Sequence, residues 1–264
     1  SGQKRAGKVS PFEAICVAVG GAVGVGSLGG VAAAIAVGGP GALFWILAWA
    51  AFGMTVKVAE VSLACHYRCT DSHGNFYGGP SYYIERGLGE QKGFKGAKVL
   101  AWCFGIAFLL AAFSGNQVFT IAEALNATFH IPMIPFACVY SLFVFYITWK
   151  GVPRIASFAS KLVPFMCLLY FVGGIVLIAV NFRALPGVIQ AVFHDAFTGS
   201  AAAGGFVGAG VMTVIRTGIA RSINSNEAGQ GSSPMIHAAA DTPHPVEQGL
   251  WGAIEVFVST VLVS

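Results

Sequence analysis

The residues of this chain that could do chemistry are few and scattered, and their types suit binding better than bond-making. Asn116 and Gln117 stand in Ser114-Gly115-Asn116-Gln117, inside a long apolar run. Uncharged amides at such a place either hydrogen-bond a ligand or hold two helices together. Lys57 and Glu60 stand at i, i+3 in a second apolar run. A charge inside such a run costs roughly 2.5–3.5 kcal/mol. The spacing puts the two on one helix face, where they pair as a brace near the interface. Glu123, Arg216 and Arg221 fall near the ends of their runs, where side chains reach the interface. The polar segment Ser225–Ser232 contains Asn226 and Glu227 followed by Gly229 and Gly231, but lacks the lysine and the preceding strand of a phosphate loop. Of the six cysteines only Cys65 and Cys69 are close, with His66 between them. A metal site needs further ligands, so these read as buried or loop thiols, and no metal-ligating set is identified. No serine, histidine and carboxylate set is recognisable, and the reading is of a protein that is not an enzyme.

Glycine carries the most informative pattern. Gly20-Gly21-Ala22-Val23-Gly24-Val25-Gly26 reads G-G-x-V-G-x-G, and Gly204-Gly205-Phe206-Val207-Gly208-Ala209-Gly210 reads the same. Small residues at this spacing are either close helix contacts or the unwound middles of broken helices, which in inverted-repeat carriers occupy corresponding positions of two halves. An odd number of apolar runs separates the starts of the two copies, so the second crosses a membrane in the opposite sense. That parity favours the second reading.

The elements that must position these residues are membrane spans. The chain has 264 residues, 56% hydrophobic and 10% charged, with mean hydropathy +0.73; a soluble domain carries roughly 25% charged residues. Its 35 glycines suit closely packed membrane helices. The net charge of +4 comes without a basic stripe interleaved with aromatics, which argues against nucleic acid. Spans are expected near Phe12–Val37, Leu43–Ala64, Val99–Leu125, Ile134–Trp149, Phe158–Val180 and Ala201–Arg221. A further run, Gly249–Ser264, falls short of the about 20 residues that a span needs. With Ser1 in place of an initiator Met, this predicts a fragment cut within its last helix. Breaks fall at Gly38-Gly39-Pro40-Gly41, His130-Ile131-Pro132 and Gly151-Val152-Pro153. Lys and Arg cluster before the first run and after the second and fourth, while the connections after the first and third have none. That alternation places the N-terminus in the cytoplasm.

Together these stretches resemble the alanine/glycine:cation symporter family, the sodium:alanine symporters of bacteria and archaea. The likeness rests on Gly24–Ala32 with Gly38–Trp45, on Gly78-Gly79-Pro80-Ser81-Tyr82-Tyr83-Ile84, on Lys161–Met166, and on Ser225–Pro234 with His237-Ala238-Ala239-Ala240. It implies an all-α polytopic membrane protein of the amino acid–polyamine–cation superfamily with a LeuT-type inverted-repeat fold, here incomplete. Residues 12–180 would form the first five-helix repeat and 201–264 the start of the second. It also implies a bacterial or archaeal cytoplasmic membrane, with a small neutral amino acid such as alanine or glycine and sodium or another monovalent cation as partners. No cofactor is implied beyond sodium as coupling ion.

By that resemblance the first and sixth runs are broken helices flanking the solute. Backbone at Gly24, Val25, Gly26 and Ser27 and at Gly208 and Gly210 would form the polar floor. Val25 and Phe206 would limit side-chain size, and Asn116 would add a contact from the third run. The chain departs from the family's G-T-G-N-I-A-G by Val25 for Thr and Ser27 for Asn, and from its Phe-Ile-Asp-Thr by Phe257-Val258-Ser259-Thr260. The competing expectations are a truncated or degenerate remnant that does not transport, and a passive channel, which would show a charged ring or a carbonyl filter.

Overall fold

The computed structural model describes residues 9–113, 117–149, 151–198 and 207–263. They are almost wholly helical. The first run is two helices, α1 (Pro11–Ala22) and α2 (Val25–Gly38), interrupted at Val23–Gly24. Ser10 and Glu13 form a reciprocal capping box at the start of α1: Glu13 N–H donates to Ser10 Oγ at 3.2 Å, and Ser10 N–H to the Glu13 carboxylate at 2.9 Å. Gly39, at φ +77°, turns the chain from α2 into α3 (Gly41–His66). A two-residue antiparallel hairpin pairs Cys69 with Tyr77 and Thr70 with Phe76. It leads to the short α4 (Pro80–Tyr83) and a π-helical turn, Ile84–Gln91. Then come α5 (Ala97–Phe113), α6 (Gln117–Phe129), α7 (Met133–Thr148), α8 (Val152–Val180), α9 (Leu185–Thr198), α10 (Val207–Asn226), α11 (Ser232–Ala238) and α12 (Pro245–Val256), which runs on through π turns to Leu262.

α3 is the axis of the packing, with α9, α10, α11 and α12 against it; α2 lies along α10, and α1 against α8. Small residues make these approaches close. A Cβ on Gly218 of α10 would stand 2.7 Å from Trp45 Cβ, and one on Gly249 of α12 would stand 2.8 Å from Val58 O, both on α3. At the α1–α8 contact, Ile15, Val19, Val23 and Val163 form a buried apolar cluster. Such contacts draw on dispersion between backbones rather than on burial of large side chains.

The outer faces are the reverse. α3 and α8 are long and apolar enough to cross a bilayer. Large apolar side chains stand uncovered along α5, α7 and α8, among them Trp102 at 71%, Ile134 at 79% and Val180 at 78% exposure. Contiguous apolar surface of this extent belongs against hydrocarbon rather than water. The expected runs near Leu43–Ala64, Ile134–Trp149 and Phe158–Val180 fall on α3, α7 and α8. α8 opens earlier than expected, because Gly151 at φ +76° ends the preceding chain and Pro153 sits in the first turn, where its missing N–H costs nothing. The run near Val99–Leu125 falls on α5 and α6, and the run from Ala201 on α10, which continues to Asn226. α9 lies in a stretch read as a connection.

Candidate functional site

The chemistry of this fold gathers where the break between α1 and α2 meets the end of α10. α1 closes with Val23 N–H donating to Val19 O at 2.7 Å. Gly24 is extended (φ −130°, ψ −156°) and starts α2 with no side-chain cap. The positive end of α2 and its free amides therefore face the break, while the Ala22 carbonyl points into it from the other side. That carbonyl accepts from Gly24 N–H at 3.0 Å and from Ser27 Oγ–H at 2.6 Å.

α10 runs antiparallel to α2. A Cβ on Gly38 would lie 3.6 Å from Val214 Cα, one on Gly30 would lie 3.8 Å from Arg221 Cδ, and Ser27 meets Ser225. Ser225 Oγ stands 2.9 Å from Ser27 Oγ, and Ser225 O stands 3.4 Å from it. Ser225 Oγ donates onward to Ser259 O in the π turns after α12, at 3.5 Å. Next in the chain after Ser259, the fully buried Thr260 Oγ1 finds no hydrogen-bond partner among the described residues. The result is a buried set made only of oxygens, from α1, α2, α10 and the end of α12. Hard cations take oxygen ligands of this kind, and unwound carbonyls at helix breaks supply them in carriers.

A second interruption follows at once. α10 ends at Asn226, and the chain turns through Glu227 (φ +53°), Gly229 (φ +83°) and Gly231 (φ +86°) before α11. Asn226 Oδ1 accepts from Ala228 N–H at 3.0 Å, and Glu60 of α3 accepts from Gly229 N–H at 3.1 Å. Glu227 accepts from Ser232 Oγ–H. Side chains thus replace the helix's lost bonds, which is how a non-glycine residue in the left-handed region is held.

Below this turn lies a buried charged cluster. Lys57 Nζ, 0% exposed, stands 3.5 Å from Glu60 Oε1 and 3.4 Å from Glu255 Oε1 on α12. Glu255 Oε2 accepts from Ser233 Oγ–H at 2.6 Å and stands 3.2 Å from His237 Nε2, both on α11. Gln248 Nε2 of α12 reaches His237 Nδ1 at 2.7 Å. The Lys57–Glu60 pair is therefore real, but it is the edge of a network tying α3, α11 and α12. Glu255, His237, Gln248 and Ser233 carry no pattern in the sequence that links them to α3. Cys65, read as a buried thiol, is buried and donates to His237 O at 3.5 Å.

Of the residues expected at the site, Gly24 and Ser27 line the break, and Val25 and Gly26 form the first turn of α2, their side chains outside the described part. Asn116 and Phe206 lie outside the described residues. Gly208 and Gly210 sit in the first turns of α10. Because α10 is antiparallel to α2, they lie beyond the Gly38 end, away from Gly24. Among the described residues it is Ser225, at the other end of α10, that meets Ser27.

The whole chain, residues 1–264, matches the model of the sodium:alanine symporter family. It is 43% identical to an uncharacterized transporter of Haemophilus influenzae, over 97% of this chain and 56% of that protein. It is 36% identical to the sodium/alanine symporter AgcS of Methanococcus maripaludis, over 97% of this chain and 56% of that one. To the amino-acid carrier protein AlsT of Bacillus subtilis the identity is 36%, over 97% and 53%. The chain spans about half the length of these curated relatives. The family is one of transporters rather than enzymes, and its members are integral membrane proteins, as the uncovered apolar faces of α5, α7 and α8 require. With its broken first helix and its match over residues 1–264, this chain belongs to the sodium:alanine symporter family.

Proposed function

We propose that this chain carries the solute- and cation-binding half of a symporter that moves a small neutral amino acid, alanine or glycine, together with sodium by alternating access. The single observation that carries this reading is the buried set of oxygens, Ala22 O, Ser27 Oγ, Ser225 O and Oγ and Ser259 O, at the break between α1 and α2. A monovalent cation at this place would replace the hydrogen bonds that now hold these oxygens together. The first amides of α2, at Val25 and Gly26, and the positive end of that helix suit a carboxylate. The carbonyls of the same break suit an ammonium, so a zwitterion finds both complements within one helix interruption.

Serine in place of the family's asparagine at position 27 keeps an oxygen in the set, which supports retained cation binding over a degenerate remnant. On this reading the fold is of LeuT type with two inverted repeats. The two helix breaks, at Val23–Gly24 and at Glu227–Gly231, are their matching halves. The N-terminus and the basic loops after α3 and α7 then face the cytoplasm. Uptake of radiolabelled alanine by the full-length protein in proteoliposomes tests the reading. Accumulation driven by an inward sodium gradient is expected, and no uptake with or without that gradient overturns it.

A further inference from the structure

The charged cluster beneath the second break is unbalanced. Among the described residues it holds one lysine, Lys57, against two carboxylates, Glu60 and Glu255. Glu255 and Lys57 are 0% exposed and Glu60 is 7% exposed. A net negative charge shut away from water is costly unless another positive group joins it. The remaining titratable member, also 0% exposed, is His237.

The hydrogen bonding around His237 admits two states that differ by one proton. Gln248 Nε2 donates to His237 Nδ1 at 2.7 Å, so the ring proton sits on Nε2 and points to Glu255 Oε2 at 3.2 Å. That is the neutral ring. Gln248 Oε1, equally buried, finds no hydrogen-bond partner among the described residues. Half a turn of the Gln248 amide would exchange its nitrogen and oxygen, and Oε1 would then accept from a protonated Nδ1. Both ring nitrogens would carry protons and the cluster would be neutral, with the number of hydrogen bonds to the ring unchanged. Among the described residues, the charges that the other elements packed against α11 set near the ring are those of the cluster itself. α3 presents Lys57, Glu60 and Cys65, whose Sγ bonds the His237 carbonyl, and Tyr83 of α4 stands near Glu60. Arg68 is spent on Ala240 O and Thr242 O. Glu13 of α1 is held by Ser10, and Tyr77 of the hairpin is 42% exposed.

We infer that His237 is a proton-binding site that opposes cation binding at the helix break. Glu255 and Ser259 are one helical turn apart on the same element, a separation of about 6 Å along the axis. The deprotonated cluster therefore sets a negative charge close to the oxygens of Ser225 and Ser259, and protonation of His237 removes it. This second step rests on the reading of those oxygens as a cation site; the proton site itself does not.

Nitrogen-15 NMR of ring-labelled histidine in the full-length protein, in choline chloride and then in sodium chloride, tests both. Between about pH 8 and pH 5 the two nitrogen shifts of His237 should converge as the ring becomes an imidazolium. Glu255→Gln should lower the protonated fraction at any given pH, and Lys57→Met should raise it. A ring that keeps the neutral Nε2–H form across that range in the wild-type protein overturns the proton site, with no variant needed. Sodium should lower the protonated fraction at fixed pH. A protein that is thermally stabilised by sodium yet shows the same titration in both salts overturns the opposition between proton and cation. Absence of any thermal stabilisation by sodium instead counts against the cation site, while the titration in choline still decides the fate of His237.

Discussion

Replacing Lys57 with methionine should destabilise the protein by about 3 kcal/mol, the low end of the cost of stripping one partner from a buried ion pair. The low end follows from the geometry. Without the ammonium, Glu255 keeps Ser233 at 2.6 Å and His237 at 3.2 Å, and Glu60 keeps the Gly229 amide at 3.1 Å. Neither carboxylate is abandoned, yet both lose the cation that stands 3.4 and 3.5 Å away. The methionine stem fills the lysine's space, so the change tests charge rather than volume. Thermal unfolding in detergent should register a fall of about 6–12 °C for a chain of this size. Glu255→Gln alone should cost a similar amount, because it leaves Lys57 with the one carboxylate Glu60. Lys57→Met with Glu255→Gln should cost clearly less than the two singles added together, by a coupling of about 2 kcal/mol. Additive single effects would refute the ion pair as the bond between α3 and α12.

Three further predictions bear on the turn, the first break and the hairpin. Gly231→Ala should cost about 2–4 kcal/mol, because the residue is at φ +86° and its Cβ would stand 2.7 Å from Pro80 Cγ. Gly229→Ala, at φ +83° with nothing within 4 Å, should cost only about 1–2 kcal/mol, and equal losses in unfolding measurements would sink the steric account. Gly20→Ala sets a Cβ 2.8 Å from Val163 Cγ2 and should destabilise by about 1–3 kcal/mol; Val163→Ala in the same chain should recover part of it. In the hairpin, the Asn75 side chain, helped by the Asn75 and His73 amides, holds the Asp71 carboxyl below the usual aspartate range. The folded-state value is the lower one, so this contribution is present at neutral pH and is lost as pH falls through it. Carbon-13 NMR should find Asp71 titrating below an unstructured aspartate, and a value at or above it would contradict the turn geometry.

How much of this was legible beforehand differs from residue to residue. The first break was, since Gly20, Gly21, Gly24 and Gly26 leave few side chains to stabilise a continuous helix at that point. The interruption at Glu227–Gly231 was not, and the second copy of the glycine pattern begins at Gly204–Phe206, outside the described residues. What holds that turn is Glu60, on a helix far back in the chain, together with Asn226 and Ser232. No local spacing announces such a partnership. Lys57 and Glu60 were recognisable as a pair by their i, i+3 spacing, but Glu255 and His237 join them only once α3, α11 and α12 are packed. α9 escaped notice because Pro186 and the polar pair His194–Asp195 give its fourteen residues the look of a connection. Its place is set by tertiary packing, with Trp45 Nε1–H of α3 donating to Ala196 O at 3.0 Å.

The central claim is that the oxygens gathered at the first break hold the coupling cation. Its most direct test is equilibrium binding of radiolabelled alanine to the purified full-length protein across a sodium titration, for wild type, Ser27→Ala and Ser225→Ala. Binding should require sodium. Each variant should need about ten-fold more sodium to reach half-saturation, an effect of about 1.4 kcal/mol for one lost ligand oxygen, while binding alanine normally once sodium is saturating. Alanine binding that ignores sodium, or a sodium dependence unmoved by both substitutions, would contradict it.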